Sequence, residues 1–114
     1  MSDGNTNTTP EAAFFDAWLS GVALAGPQWF GDGSGVGSSK WHLAPRYDEI
    51  SAALGWLSSG EAVFLAAMYS FYNADMGGQM LARLGVGGVG GVAARLDDKR
   101  RRVIAALLVS YGGW

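Results

Sequence analysis

The sequence has 114 residues, enough for one domain, and its formal net charge is −2. Such a small charge excludes electrostatic steering toward nucleic acid or acidic lipid as the main mode of binding. There is no cysteine, which excludes disulfides and thiolate metal sites and is typical of the reducing cytoplasm where we expect the protein. We also expect no membrane contact, since no uninterrupted apolar stretch approaches the ~20 residues of a membrane span.

The apolar content is large for the amount of chain that can form a core. Hydrophobic residues make up 49% of the sequence and include five tryptophans. Residues 1–9 are polar, however, and residues 31–39 and 85–91 are rich in glycine. The remaining ~70 residues are at the size where a single core becomes marginal. We therefore predict that the protein is a homodimer or is completed by a partner.

The chain begins with a predicted disordered tail, residues 1–9, and a predicted amphipathic helix, residues 10–26. Thr8 or Thr9 can cap this helix, and Pro10 is tolerated in its first turn. Its apolar face repeats at spacings of one, three and four residues and consists of Phe14, Phe15, Trp18, Leu19 and Val22.

Residues 27–44 are predicted to be a flexible linker because they contain the segment GDGSGVGSS. A linker of this length leaves open where the first helix packs. It can pack on its own core, on a sister protomer or on a target. We place the helical core domain at residues 45–114.

Two helices open this predicted core domain. Pro45 begins the first, with Leu57 at the end of its apolar side. The second covers residues 58–73 and starts with the capping-box spacing of Ser58 and Glu61. Ser70 is its one polar residue from Ala62 to Tyr72, so the helix should be buried all round, which is hard to arrange in so short a chain without a partner.

A short helix follows, with Asp75 as its predicted cap and Leu84 at its end. The next segment, GVGGVGG at residues 85–91, contains the letters of a G-x-G-x-x-G dinucleotide fingerprint. That fingerprint requires a preceding strand and a βαβ unit. The segment follows a helix instead, so we interpret it as a mobile hinge.

The last helix is predicted to begin at Asp97 or Asp98, or alternatively near Val92, and to end at Gly112-Gly113. No segment shows the strict alternation of a strand. The predicted fold is therefore all-α, a compact bundle of about four to five short helices with a Gly/Ser-rich linker after the first.

Residues that could carry chemistry are few. His42 is the only histidine, and the nearest carboxylates have no recognised ligand or catalytic spacing to it. Lys40 follows Ser39 rather than the glycine that a phosphate-binding loop needs. We expect no catalytic residue, no cofactor, no metal and no enzymatic activity.

Lys99-Arg100-Arg101-Arg102 is the only cluster of charge. It raises the alternative of a small DNA-binding transcription regulator that contacts phosphates. Asp97 and Asp98 offset part of this charge, and four consecutive helical residues cannot all face one groove. We expect no direct contact with nucleic acid.

The abundant apolar and aromatic residues favour a protein-binding role, because aromatic residues and methionine concentrate binding energy at interfaces. Core packing is the alternative for each of them. The candidate interface residues lie on the first, the capped and the last helix and are Phe14, Phe15, Trp18, Leu19, Met68, Phe71, Tyr72, Ile104, Leu107, Leu108, Tyr111 and Trp114.

Two segments, LSSGEAVFLAAMYSFYN at 57–73 and LDDKRRRVIAALLVSYGGW at 96–114, resemble those of small helical bacterial proteins of unknown chemistry, and within that group the chain as a whole resembles quorum-sensing antiactivators of the QslA type. The likeness covers residues 45–114 and is carried by length and texture. The resemblance implies a dimeric helical protein that binds the ligand-binding domain of a LuxR-type transcription regulator. Such a protein blocks dimerisation of the regulator and so keeps it off its promoters. A DNA-binding regulator and a helical accessory subunit of a larger complex are the alternatives.

Overall fold

The computed structural model describes residues 9–114, which form α-helices joined by loops and short 3₁₀ turns. The predicted all-α class is confirmed for this part of the chain, whose only β pairing is an isolated bridge between Phe30 and Pro45. The helices are α1 (Pro10–Ala25), α2 (Tyr47–Ala53), α3 (Ser59–Tyr72), α4 (Ala74–Arg83), α5 (Val89–Arg95) and α6 (Asp98–Ser110).

The central element is α3, the helix predicted to be apolar on every side. Its capping box is confirmed, since the Ser58 hydroxyl accepts from the Glu61 amide and the Glu61 carboxylate accepts from the Ser58 amide. Residues Ala62–Tyr69 are all buried. The other helices of the same chain supply this cover, because α1, α2, α4, α5 and α6 all contact α3. The expectation that α3 needs a partner chain to hide it is therefore wrong.

Helix α1 belongs to this core. It packs along α6 and also contacts α3, and its Trp18 side chain is fully buried. Gly21 makes the close approach possible, since a Cβ there would lie 2.6 Å from Met68 Cε. The structure thus does not divide the chain into an N-terminal helix, 10–26, and a separate core domain, 45–114. The reason is that α1 supplies one wall of the shared core.

The predicted linker, residues 27–44, is a closed loop. Its ends are joined by hydrogen bonds from the Gly31 amide to the Ala44 carbonyl and from the Arg46 amide to the Trp29 carbonyl, each 2.9 Å long. Two 3₁₀ turns, Pro27–Trp29 and Lys40–Leu43, lie within it. Because both ends meet, the loop returns the chain to α1 instead of carrying α1 away from the bundle.

Helix α4 begins two residues earlier than predicted. The Asn73 side chain caps it by accepting from the Met76 amide at 3.0 Å, so the prediction that Asp75 is the cap is wrong. An asparagine with extended backbone at the end of α3 serves as C-cap of one helix and N-cap of the next. This sharing makes the connection between α3 and α4 very short.

Helix α5 accounts for the higher helix count, since residues 9–114 contain six α-helices against the predicted four to five. It starts inside the GVGGVGG segment, which was interpreted as a hinge, because Val86 and Val92 are buried on either side of its start. Apolar burial offsets the cost of the helical glycines. The next helix is separate, since Leu96 is extended and Asp97 caps α6.

The predicted tail, residues 1–9, lies outside the described residues except for Thr9, which caps α1 by accepting from the Ala12 amide at 3.0 Å. Among residues 9–114, no helix combines the length and the apolar character needed to cross a membrane.

Candidate functional site

Helix α6 has an apolar surface on the side that faces water. Its inner side buries Ile104 and Leu107 against the core. The outer face, which we define as Ala105, Leu108 and Val109, lies at spacings of three and four residues and so forms one strip. Leu108 is 53% exposed and Val109 is 89% exposed. Residues 103–109, VIAALLV, include no polar residue on any side of the helix.

Such a strip differs from the scattered apolar residues that every protein exposes. Single exposed side chains need no explanation, but contiguous apolar residues on a rigid element mark interaction surfaces. The outer face of α6 has the pattern by which an amphipathic helix docks into an apolar groove. It is the candidate functional site of the described chain.

The basic cluster at the start of α6 is divided among different contacts. Arg100 pairs with Asp97 at 2.6 Å, and Arg102 pairs with Asp98 at 2.8 Å. Arg101 donates from Nε to the Ala93 carbonyl of α5 at 2.8 Å. These contacts direct the guanidinium groups to different sides of the helix, which does not suit a row of phosphate contacts.

Aromatic side chains gather where α1, the end of α3 and the residues after α6 meet. Phe14 lies at the centre, with ring centroids 6.1 Å from Phe71, 5.8 Å from Tyr111 and 6.1 Å from Trp114. Trp114 also approaches Trp18 at 4.8 Å. Edge-to-face and tilted rings at these distances stabilise each other beyond their burial. The cluster therefore fixes the residues that follow α6 onto the bundle.

The twelve predicted interface residues fall into three groups. The cluster unites six of them, Phe14, Trp18, Phe71, Tyr72, Tyr111 and Trp114. By burial, five are hidden in the chain's own core: Phe14, Trp18, Met68, Ile104 and Leu107. Four are partly buried: Phe15, Leu19, Phe71 and Trp114. Three are exposed: Tyr72, Leu108 and Tyr111.

The prediction that the five buried residues contact a partner is wrong, because a side chain buried by its own chain cannot contact a partner without unfolding. The sequence could not separate the groups, since the apolar helices offer apolar residues on every side.

The list of predicted interface residues omits Val109, which is 89% exposed on the outer face. A signal for it was present. Val109 lies five residues after Ile104, which turns it about 140° around the helix axis. Once Ile104 is assigned to the core, Val109 must point away from it. Trp41 and Trp56 are also highly exposed and were missed, because neither tryptophan belongs to a periodic apolar pattern.

Perturbed ionisable groups have structural causes. The backbone amide of Arg100 is the main reason that the pKa of Asp97 lies below its usual range, as expected for an N-cap. Hydrogen bonds to the side chain and amide of Ser58 lower the pKa of Glu61 in the same way. Burial raises the pKa of Tyr69. No group of three or more His, Asp or Glu side chains within residues 9–114 is placed to hold a metal ion.

Comparison with known proteins identifies no relative, since no protein-family model, no curated protein and no solved structure matches the chain. The candidate site therefore stands on its own geometry.

Proposed function

We propose that this protein is a protein-binding antiactivator. It binds the ligand-binding domain of a LuxR-type quorum-sensing transcription regulator in the cytoplasm, blocks dimerisation of the regulator and prevents promoter binding. The observation that carries the proposal is the outer face of α6, which exposes Leu108 and Val109 next to Ala105. The partner class comes from the resemblance of residues 57–73 and 96–114 to antiactivators of the QslA type.

The mechanism is competition for a surface. The small side chain of Ala105 allows a partner helix to approach, while Leu108 and Val109 supply apolar area that is removed from water on binding. A regulator that has covered this face with its own dimerisation surface cannot pair with a second regulator. Inhibition then rises with the concentration of the antiactivator and needs no catalysis.

The same face accounts for the proposed homodimer. A second copy covers it in the free protein, and the regulator displaces that copy. Helix α3, expected from the sequence to supply much of the self-interface, contributes little because Ala62–Tyr69 are covered within the chain. Only its last residue, Tyr72, is exposed among the candidates on that helix.

Leu108→Asp tests the proposal in a promoter-binding assay with purified regulator. The variant should lose inhibition and become monomeric, because an unpaired carboxylate buried in an apolar interface costs several kcal/mol. The fold should survive, since Leu108 is more than half exposed. Sedimentation velocity reports the oligomeric state, and circular dichroism reports the fold.

Two controls make the result specific. Val36→Asp places the same charge on an exposed valine of the loop and should inhibit like the unmodified protein. Arg101→Ala with Arg102→Ala should also leave inhibition largely intact. If the arginine changes abolish inhibition, or if the protein alone shifts promoter DNA, the antiactivator proposal is wrong and the DNA-binding alternative replaces it.

A further inference from the structure

A second surface feature lies apart from the outer face of α6. A cleft of about 630 Å³ opens between the first turn of α1, residues 38–41 of the loop and the residues that follow α6. This volume falls within the ~300–1,000 Å³ of small-molecule sites. The cleft is therefore large enough for a ligand of two fused rings.

The walls of the cleft are largely aromatic. Phe14 and Phe15 of α1 line one side, and Trp41 and Trp114 line the others. Trp41 is 64% exposed. Flat apolar walls of this kind favour a flat ring system, which can stack on one ring and meet the edge of another.

One cation lies among these rings. The Lys40 ammonium is 4.8 Å from the ring centroid of Trp41, 5.3 Å from that of Trp114 and 5.5 Å from that of Phe14. Within residues 9–114 its one hydrogen bond goes to the Gly113 carbonyl at 2.8 Å. An ammonium has three protons, so two remain for a ligand.

Two further groups bear on what the cleft can bind. Glu11 lines it and is exposed, so its carboxylate opposes an anion but is screened by water. The buried Trp114 Nε1 has no acceptor among the described residues. The free protons of the Lys40 ammonium suit an acceptor group.

We propose that this cleft is a binding site for a small aromatic molecule that carries one carboxylate or similar anionic group. The ring system lies against Trp41, Phe15 and Trp114, and the anionic group accepts from the Lys40 ammonium. The site is independent of the proposed antiactivator function, since Leu108 and Val109 do not line it.

The probes are 2-naphthoate and its neutral counterpart 2-naphthylmethanol, added to the full-length protein. Binding is followed in ¹⁵N–¹H correlation spectra, where the backbone amides of residues 38–41 and the indole N–H groups of Trp41 and Trp114 report on the cleft. Naphthoate should shift these signals until they saturate. It should bind about tenfold more tightly than the neutral probe, because only its carboxylate pairs with the Lys40 ammonium.

Charge variants assign the site. Lys40→Met keeps the apolar stem, removes the cation and should weaken naphthoate about tenfold while leaving the neutral probe unchanged. Lys99→Met removes an equal charge at the exposed start of α6 and should have no effect. Glu11→Gln should tighten naphthoate. Leu108→Asp should bind it normally, which separates this site from the outer face of α6.

Three outcomes would overturn the proposal. Equal affinity of the two probes, or no effect of Lys40→Met, would show that the Lys40 ammonium does not contribute to ligand binding. Shifts confined to signals near Trp29 and Trp56 would place binding in the smaller cleft between those residues and Arg100, about 270 Å³ in volume. Signals that move with protein concentration but not with naphthoate would show that a second copy covers the cleft.

Discussion

At the scale of single residues, Trp18 ties α1 to the loop that follows it. Its indole Nε1 donates to the Leu43 carbonyl at 2.9 Å inside the core, and its ring packs against Phe30 with centroids 5.7 Å apart. A buried backbone carbonyl needs a donor, and because Leu43 is fully buried the indole supplies it in place of solvent. The Trp18 side chain thus provides the hydrogen bond that the Leu43 carbonyl needs and fills the space beneath the loop.

Trp18→Phe should therefore lower the free energy of unfolding by about 2–4 kcal/mol, from an unpaired Leu43 carbonyl and a small cavity. The urea midpoint at unchanged slope measures this. Trp56→Phe, on the protein surface, is the control and should fall within about 0.5 kcal/mol of the unmodified protein. Equal midpoints for the two variants would show that the Trp18 bond does not stabilise the fold.

Glu61 and Asp97 predict how stability changes with pH. Both carboxyls have a pKa below the usual range in the folded protein, so the unfolded chain binds protons first as the pH falls. Their contribution is present at neutral pH and is lost as the pH drops through about 4 and then through the lower folded-state values.

Replacing both with amides, Glu61→Gln and Asp97→Asn, retains acceptors at the helix caps but removes this titration. The urea midpoint of the double variant should therefore fall less between pH 7 and pH 3 than that of the unmodified protein. A midpoint that falls equally in both proteins would contradict the assignment of the caps as acid-sensitive groups.

At the scale of elements, the hairpin of α3 and α4 depends on one glycine. A Cβ on Gly77 would lie 2.4 Å from Ser70 Cα and 2.5 Å from its backbone nitrogen. Backbone atoms cannot move aside as a flexible side chain can. Gly78, the next residue, has nothing within 4 Å of its Cβ position. Packing therefore requires glycine at position 77 but leaves room for a larger side chain at position 78.

Gly77→Ala should destabilise the protein by at least about 2 kcal/mol, because α4 must move away from α3. Gly78→Ala, its matched control, should stabilise it by up to about 1 kcal/mol through helix propensity. Thermal melting of the two variants gives opposite shifts if the helices pack as described. Shifts of the same sign would mean that the α3–α4 contact is wrong.

At the scale of the whole molecule, one core joins α1 to the rest of the bundle. Phe14, Trp18 and Val22 of α1 are buried with Phe64 and Met68 of α3. Each such side chain contributes about 1.5–3 kcal/mol by burial, and a domain's total stability is only about 5–15 kcal/mol. Removal of α1 should therefore take away most of the stability of the fold.

Deleting residues 1–26 should abolish the cooperative melt of the remaining chain and most of its helical circular dichroism. Deleting residues 1–8, which the sequence predicts to be disordered, keeps the Thr9 cap and should leave the melt in place. If residues 27–114 alone remain helical and melt cooperatively, α1 is not required by the core and this prediction is wrong.

The sequence by itself determined the fold class and the start of α3, and it placed the starts of α1 and α6 among a few named alternatives. Thr9, Ser58 and Asp97 cap helices through contacts within three residues, so their roles follow from local order alone. The prediction failed locally where two capping residues competed, since Asn73 and not Asp75 starts α4. It failed also at α5, where burial of Val86 and Val92 in the folded protein outweighs the glycine content.

Only the tertiary structure decided which apolar side of each helix is the inside. In α3 every side is covered, whereas in α6 Ile104 faces the core and Val109 faces water. Residues in a helix that is apolar all round carry no periodic difference, so burial depends on where the other helices lie. The cleft at Lys40 has the same origin, because its walls come from three segments far apart in the chain that the closed loop and the aromatic cluster bring together.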